Sequence, residues 1–312
     1  MRKRLFGRTG LEVTELGLGT WGLSGDGYGP VAEAEIDRVL SRAVELGVTL
    51  FDTADVYGDG AMERRLGAIV PSYARIVTKL GTDLAQTPPR KRFDAAYVRE
   101  AFERSQERLG RDRVEVVLLH NPSAAALATG EGPGALKELK DAGRIRAWGV
   151  AAGSAAVARA AIEQGAGLVE IAYNAFCAKD LHAIANVVST NGVAVLARSV
   201  LAHGLLAGHW SAEREFQPGD HRAERWTHAD LARRIAQLDA LRPLVTGSVS
   251  SLRAAALRFV LSNDLVTSAI LGPRSVAQLE QLVREAGSGP PYLRDTALAE
   301  LASRLRSAGV AL

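Results

Sequence analysis

Leu50-Phe51-Asp52-Thr53-Ala54-Asp55-Val56-Tyr57-Gly58 decides how this chain is read. An apolar run that starts at Val48 stops abruptly at Asp52, and a polar loop carrying Tyr57 follows. A strand buried on both faces of a parallel sheet has this form where its C-terminal end opens into a loop. The same break recurs downstream. The run from Arg75 ends at Lys79, and the run from Val114 to Leu119 meets His120.

Working outward, Met1 to Gly10 reads as a short strand and turn, with Arg8-Thr9-Gly10 at the bend. Leu16 to Gly19 is a first strand. Ile36, Val39, Leu40, Ala43 and Leu46 fall at helical spacing between Ala32 and Leu46, and Gly47 ends that helix. Met62, Leu66 and Ile69 mark a second helix, and Asp94 N-caps a third that runs to Leu109 before Gly110. Beyond His120, Ser123 to Gly134 is rich in small residues and reads as a mobile loop. Helices then cover Ala135 to Ala142, Ser154 to Gln164 and Leu181 to Thr190. Strands between them cover Ile145 to Val150, Leu168 to Ala172 and Val193 to Arg198. A polar insertion, His209 to Thr227, carries Trp210 and Trp226, which either cover a pocket or fill the loop. Helices Ala229 to Leu241 and Ser251 to Leu261, a strand from Leu265 to Leu271, and helices Ser275 to Ala286 and Arg294 to Ser307 close the chain.

Eight strands, each followed by a helix, predict an α/β protein: one (β/α)8 TIM barrel over residues 1–312, with an N-terminal hairpin and extra helices. The rival is an open doubly wound sheet, with Gly17-Leu18-Gly19-Thr20-Trp21-Gly22 as its dinucleotide turn. Leu23 to Pro30 argues against it, because Gly25, Gly27, Gly29 and Pro30 cannot open the helix such a turn requires.

Net charge is only +3 and no block of like charges stands out, so neither nucleic acid nor membrane is an expected partner. The basic N-terminus has no long apolar run behind it, as a signal peptide would, and no apolar run approaches the ~20 residues of a membrane span. Cys177 is the single cysteine, which excludes an internal disulfide and fits a reducing cytoplasm. His182, His203, His209, His221 and His228 lack the spacing of metal ligands, so no metal site is expected. Oligomeric state is not legible.

In a barrel, the C-terminal strand ends surround one cavity. Asp52, Tyr57, Lys79 and His120 then converge. A phenol with an ordinary pKa near ~10 is a poor acid at neutrality, and a neighbouring ammonium lowers that value. Asp52 supplies the counter-ion that a lysine in a closed cavity needs. An imidazole beside the phenol orients a carbonyl oxygen or passes a proton. The set forms a proton donor for an oxygen that gains negative charge, as in reduction of a carbonyl by hydride. The same tetrad also serves a lyase, dehydratase or isomerase without hydride. Taken singly, each residue has a plain role: a turn cap, a surface aromatic, a solvated charge, a strand-end histidine. Trp21, after the first strand, walls a substrate pocket with Tyr57 and His120. At the last strand end, Gly272-Pro273-Arg274-Ser275 opens a helix, and a helix N-terminus beside a guanidinium is a natural phosphate site.

Gly19-Thr20-Trp21, Phe51 to Gly58, Thr78-Lys79, Leu118 to Pro122, Trp148 to Val150, Tyr173-Asn174 and Leu271 to Ser275 together resemble the aldo-keto reductase family, in order and spacing, along nearly the whole chain. The resemblance implies a barrel that reduces a small-molecule aldehyde or ketone with an extended nicotinamide cofactor, usually NADPH. It implies Tyr57 as general acid, Lys79 as the group lowering its pKa, Asp52 as the holder of Lys79 and His120 as the group orienting the carbonyl. On the cofactor side it implies Gly19, Thr20 and Glu170, Arg198 against the nicotinamide, and Leu201, Gly204 and Leu206 along the pyrophosphate. It places Gly272, Arg274 and Ser275 at the adenosine 2′-phosphate, favouring NADPH over NADH, and Gln278 near the adenine. Three places depart from the family pattern. Ala151-Ala152 stand where a serine, often Ser-Asn, holds the carboxamide, Glu170 stands for a glutamine, and Leu282 for an asparagine. Weakened nicotinamide binding keeps two alternatives open: the non-redox acid/base enzyme, and a nucleotide-binding regulatory barrel subunit.

Overall fold

The computed structural model describes residues 1–312. The apolar runs form eight parallel strands: β1 (Leu16–Gly19), β2 (Leu50–Asp52), β3 (Arg75–Leu80), β4 (Val114–His120), β5 (Ile145–Ala152), β6 (Leu168–Ala172), β7 (Ala194–Arg198) and β8 (Ser268–Leu271). Each pairs with the next in chain order, and β8 pairs with β1, so the sheet closes into a barrel. The (β/α)8 expectation holds.

Strand periodicity sorts the side chains into two cores. Leu50, Val77, Val116, Leu118, Ala147, Leu168, Leu196 and Ile270 point inward and fill the barrel. Phe51, Ile76, Val117, Leu119, Trp148, Val169 and Val195 point outward under the helices. An antiparallel hairpin, Lys3–Leu5 with Glu12–Thr14, inserts Phe6 and Val13 into the base of the inner core. The layer above the inner core therefore falls on Asp52, Lys79, His120, Glu170 and Arg198, each two residues beyond an inward apolar residue, and on Ala151, two beyond Gly149. At Gly149, between inward Ala147 and Ala151, a Cβ would stand 1.9 Å from the Leu168 carbonyl oxygen, so only glycine lets β5 and β6 approach this closely.

The outer layer comprises α1 (Glu33–Glu45), α2 (Ala61–Ile69), α3 (Ala95–Leu109), α4 (Ala124–Ala128), α5 (Glu131–Asp141), α6 (Ala155–Glu163), α7 (Lys179–Asn191), α8 (His228–Gln237), α9 (Leu252–Leu261), α10 (Val276–Ala286) and α11 (Asp295–Ser307). Asp94, Ser154, Ser251 and Ser275 cap α3, α6, α9 and α10 by accepting a backbone N–H with the side chain. No helix is long and apolar enough to cross a membrane.

Two expectations are corrected. Ser123 to Gly134 is not a loop: Ser123 caps α4, and Pro133 lies in the first turn of α5, where its missing N–H has no intrahelical partner to lose. The last strand starts at Ser268, because Asn263 turns the chain first, its carbonyl accepting from the Val266 N–H at 3.0 Å. A small hairpin, Thr82–Asp83 with Arg90–Lys91, is an addition too short for any sequence pattern.

Candidate active site

The C-terminal mouth of the barrel opens into a cavity of about 1010 Å³, within reach of Trp21, Asp52, Tyr57, His120, Glu170, Arg198 and Arg274. At its floor Lys79 is 1% exposed and Asp52 4%. The Lys79 ammonium donates to Asp52 Oδ1 at 2.6 Å, to Asp52 Oδ2 at 2.7 Å and to the Thr53 carbonyl at 3.0 Å. Glu170 Oε2 lies 3.2 Å from the same nitrogen as an ion pair, yet has no hydrogen-bond partner. Two carboxylates thus face one ammonium.

Tyr57 stands over this floor, with Lys79 Nζ 5.2 Å from its ring centroid. The His120 ring packs edge-on against it at 5.9 Å and 84°. His120 Nδ1 is buried without a partner. Lys91, from the small hairpin, donates to the His120 carbonyl at 2.9 Å and helps fix the strand end. Immediately after His120 and Arg198 the chain turns through the left-handed residues Asn121 (φ 52°) and Ser199 (φ 56°), a conformation that concentrates at functional sites.

Burial sets the charge states. It pushes the Tyr57 phenol well above its ordinary value, and Lys79, pulling the other way, is opposed by Asp52 and Glu170. Lys79 lowers the value as expected, but burial outweighs it and the phenol is held protonated. Lys79 is itself pulled down by burial, but Asp52 and Glu170 outweigh that and hold it above the ordinary lysine range. Burial and then the Lys79 charge keep His120 well below its usual value, so the imidazole is neutral.

The roof comes from the β1 loop and from the insertion before α8. Trp21 packs on Tyr28 at 5.1 Å and on His221 at 4.8 Å, and the Tyr28 hydroxyl is 3.2 Å from His203 Nδ1. Burial pushes His203 down to about 3. Trp210 reaches the cavity and packs on Phe216 and Trp226, whereas Trp226 stays behind it. Tyr28, His203, His221 and Arg222 escaped the sequence reading because nothing in their spacing places them over a mouth formed by other segments.

On the cofactor side, Gly19, Arg198, Leu201, Gly204, Gly272, Arg274 and Gln278 line the cavity, as does Leu282. Thr20 does not: it is fully buried, and its hydroxyl donates to the Asp52 carbonyl at 3.1 Å. Leu206 is buried in a satellite core against Leu252 and Leu301. Ser275 is committed to capping α10. Arg274 donates to the carbonyls of Gly22, Gly29 and Pro30 at 3.2, 2.8 and 3.0 Å. The first free N–H of α10, at Val276, donates to Glu35 Oε1 at 2.9 Å, and that bond with Arg38 holds the Glu35 carboxyl below its usual range. A carboxylate thus stands where the sequence expects a phosphate.

A deep cavity at the C-terminal mouth of a closed (β/α)8 barrel thus holds a tyrosine and a neutral histidine over a buried lysine–aspartate pair. The sequence model of the aldo/keto reductase family matches residues 15–286, and the chain belongs to that family. The chain is 30% identical to a pyridoxal 4-dehydrogenase from Microbacterium luteolum, over 90% of this chain and 92% of that protein. It is 26% identical to an NADH-specific methylglyoxal reductase from Escherichia coli, over 91% of this chain and 93% of that one. Among solved structures, the glycerol dehydrogenase of Gluconobacter oxydans superposes with a TM-score of 0.85, at 24% identity over 99% of this chain and 96% of that chain. The protein is thus an oxidoreductase of a family that uses nicotinamide cofactors.

Proposed function

We propose that the chain interconverts a small-molecule carbonyl and its alcohol, with Tyr57 exchanging the proton on the reacting oxygen. The observation that carries this reading is the placement of Tyr57 and neutral His120 side by side over the Lys79–Asp52 pair, at the floor of a cavity of about 1010 Å³. In the reductive direction the protonated phenol donates to the oxygen that gains charge. His120 lines the cavity beside the phenol and is placed to fix the carbonyl before that transfer. Asp52 holds Lys79 in line below the phenol.

The residues present fit a nicotinamide: Glu170 and His120 line the cavity, and each carries a buried polar atom without a hydrogen-bond partner. When bound, the cofactor supplies or takes the hydride. Glu170 would accept from the carboxamide NH2. Ala151 and Ala152 contribute no side-chain donor, and the Arg198 guanidinium, 3.3 Å from the Ala152 carbonyl, stands at the same wall.

The finer choice of cofactor turns on Glu35. To bind a 2′-phosphate, the chain would have to release the Val276 N–H from Glu35 and tolerate two anions together. A ribose 2′-hydroxyl can donate to Glu35 instead. NADH is therefore the cofactor this geometry favours, in place of the NADPH expected from Arg274 and Ser275. The test is titration of the purified protein with NADH and NADPH, following Trp fluorescence, then carbonyl reduction by the wild type and Tyr57→Phe. Saturable binding, with turnover lost in the variant and binding retained, supports the reading. Binding of neither cofactor at millimolar concentration, or full turnover by Tyr57→Phe, defeats it.

A further inference from the structure

Glu170 is 3% exposed, and its Oε2 has no hydrogen-bond partner. Such an atom is costly to bury unless something completes it. Lys79 faces it at 3.2 Å while bonded to both oxygens of Asp52 and to the Thr53 carbonyl, so the two carboxylates share its charge. With Asp52 counted, the floor carries two carboxylates against one ammonium. Burial and then Glu170 push the Asp52 carboxyl well above its ordinary value, the response of a site with surplus anion. His120, the next group along the wall, is held neutral and adds no positive charge.

We infer that Glu170 makes this site hold the oxidised, cationic nicotinamide ring more tightly than the reduced, neutral ring, which within the bound complex favours hydride leaving the reduced ring for a carbonyl. The inference rests on the nicotinamide reading above and adds a direction to it. A glutamine in place of Glu170 offers the carboxamide the same hydrogen-bond acceptor and a donor besides, but no charge. The carboxylate therefore gives up a hydrogen bond that glutamine makes and gains an electrostatic preference that glutamine lacks. That preference operates where water is largely excluded and charge interactions are strong. Arg198 also lines the cavity, bonded to the Ala152 carbonyl at 3.3 Å, and its positive charge opposes the bias. Its side chain is only partly buried, so solvent screens it more than it screens Glu170.

The test compares dissociation constants for NAD+ and NADH, without substrate, in the wild type, Glu170→Gln and Glu170→Asp. Removing one buried charge beside a cationic ring should shift the ratio of the two constants toward NADH by roughly tenfold or more in Glu170→Gln. Glu170→Asp, which keeps the charge, should stay near the wild-type ratio. A merely structural role would weaken both forms alike, so an unchanged ratio in Glu170→Gln, with both cofactors bound, overturns the inference and leaves the nicotinamide reading standing. Failure of the wild type to bind either cofactor at millimolar concentration defeats that reading, and this inference with it.

Discussion

Replacing Lys79 by methionine removes the one ammonium that two buried carboxylates share. Methionine nearly matches the stem of lysine in volume, so the change removes charge and three hydrogen bonds with little loss of packing. Asp52 and Glu170, 4% and 3% exposed, are then left facing each other without a cation. Breaking a buried pair by deleting one partner costs about 3–5 kcal/mol. For 312 residues, with an unfolding entropy of about 2.1 cal/mol/K per residue, that corresponds to a melting point lower by about 5–8 °C at pH 8. The pH dependence follows from linkage. Lys79, with its folded pKa raised, contributes stability that is fully present below its unfolded pKa of ~10.4 and is lost only as pH rises through the folded value. Asp52 runs the other way. Its carboxyl is raised in the folded state, so above its unfolded pKa of ~3.9 stability falls as pH rises toward the folded value. Without Lys79 that value climbs further and the penalty grows. The gap between variant and wild type should therefore be present at pH 4 and widen toward pH 8. Thermal unfolding followed by circular dichroism at pH 4, 6 and 8 measures it. A fall of under ~2 °C at pH 8, or a gap that does not change with pH, would refute the picture of a dry, surplus-anion floor.

Three further outcomes are expected. Because burial holds the Tyr57 phenol above its ordinary value, carbonyl reduction should keep a level kcat from pH 6 to 9, whereas alcohol oxidation should rise with pH as the phenol loses its proton; a reductive kcat falling with an apparent pKa under ~8 would contradict this. Glu35→Gln removes the anion at the α10 N-terminus, and NADPH should then bind about tenfold more tightly with NADH little changed, by fluorescence titration. Asp94→Ala deletes the cap that accepts from the Tyr97 N–H at 2.9 Å and should lower stability by about 1 kcal/mol, read from denaturant unfolding.

The barrel was legible because a parallel strand buried on both faces must be apolar along its length and polar where it opens. Asp52, Lys79 and His120 mark those ends without help from any neighbour, and serine or aspartate caps mark the helix starts. What stayed hidden depends on segments far apart in the chain. Pro133 and its flanking glycines look like loop composition, and only their place in the first turn of α5 makes them helical. Glu35 reads as one acid among several on α1 until the closing barrel brings the α10 N-terminus beside it. Ser275 and Arg274 have the right chemistry for phosphate, but the structure shows their groups already committed elsewhere. The net shift of the Tyr57 phenol was hidden because a sequence displays the lysine that lowers it and not the burial that raises it.

Arg274 joins the end of β8 to three carbonyls of the loop that carries Trp21 and Tyr28. Any anion that draws this guanidinium away must unfasten that loop, and any substrate that presses the loop inward tightens the guanidinium against it. An anion bound at Arg274 and the fastening of that loop would thereby be linked, each changing the equilibrium of the other by the same factor. What the barrel holds beneath Trp21 and what it holds at Arg274 would, in that sense, be chosen together.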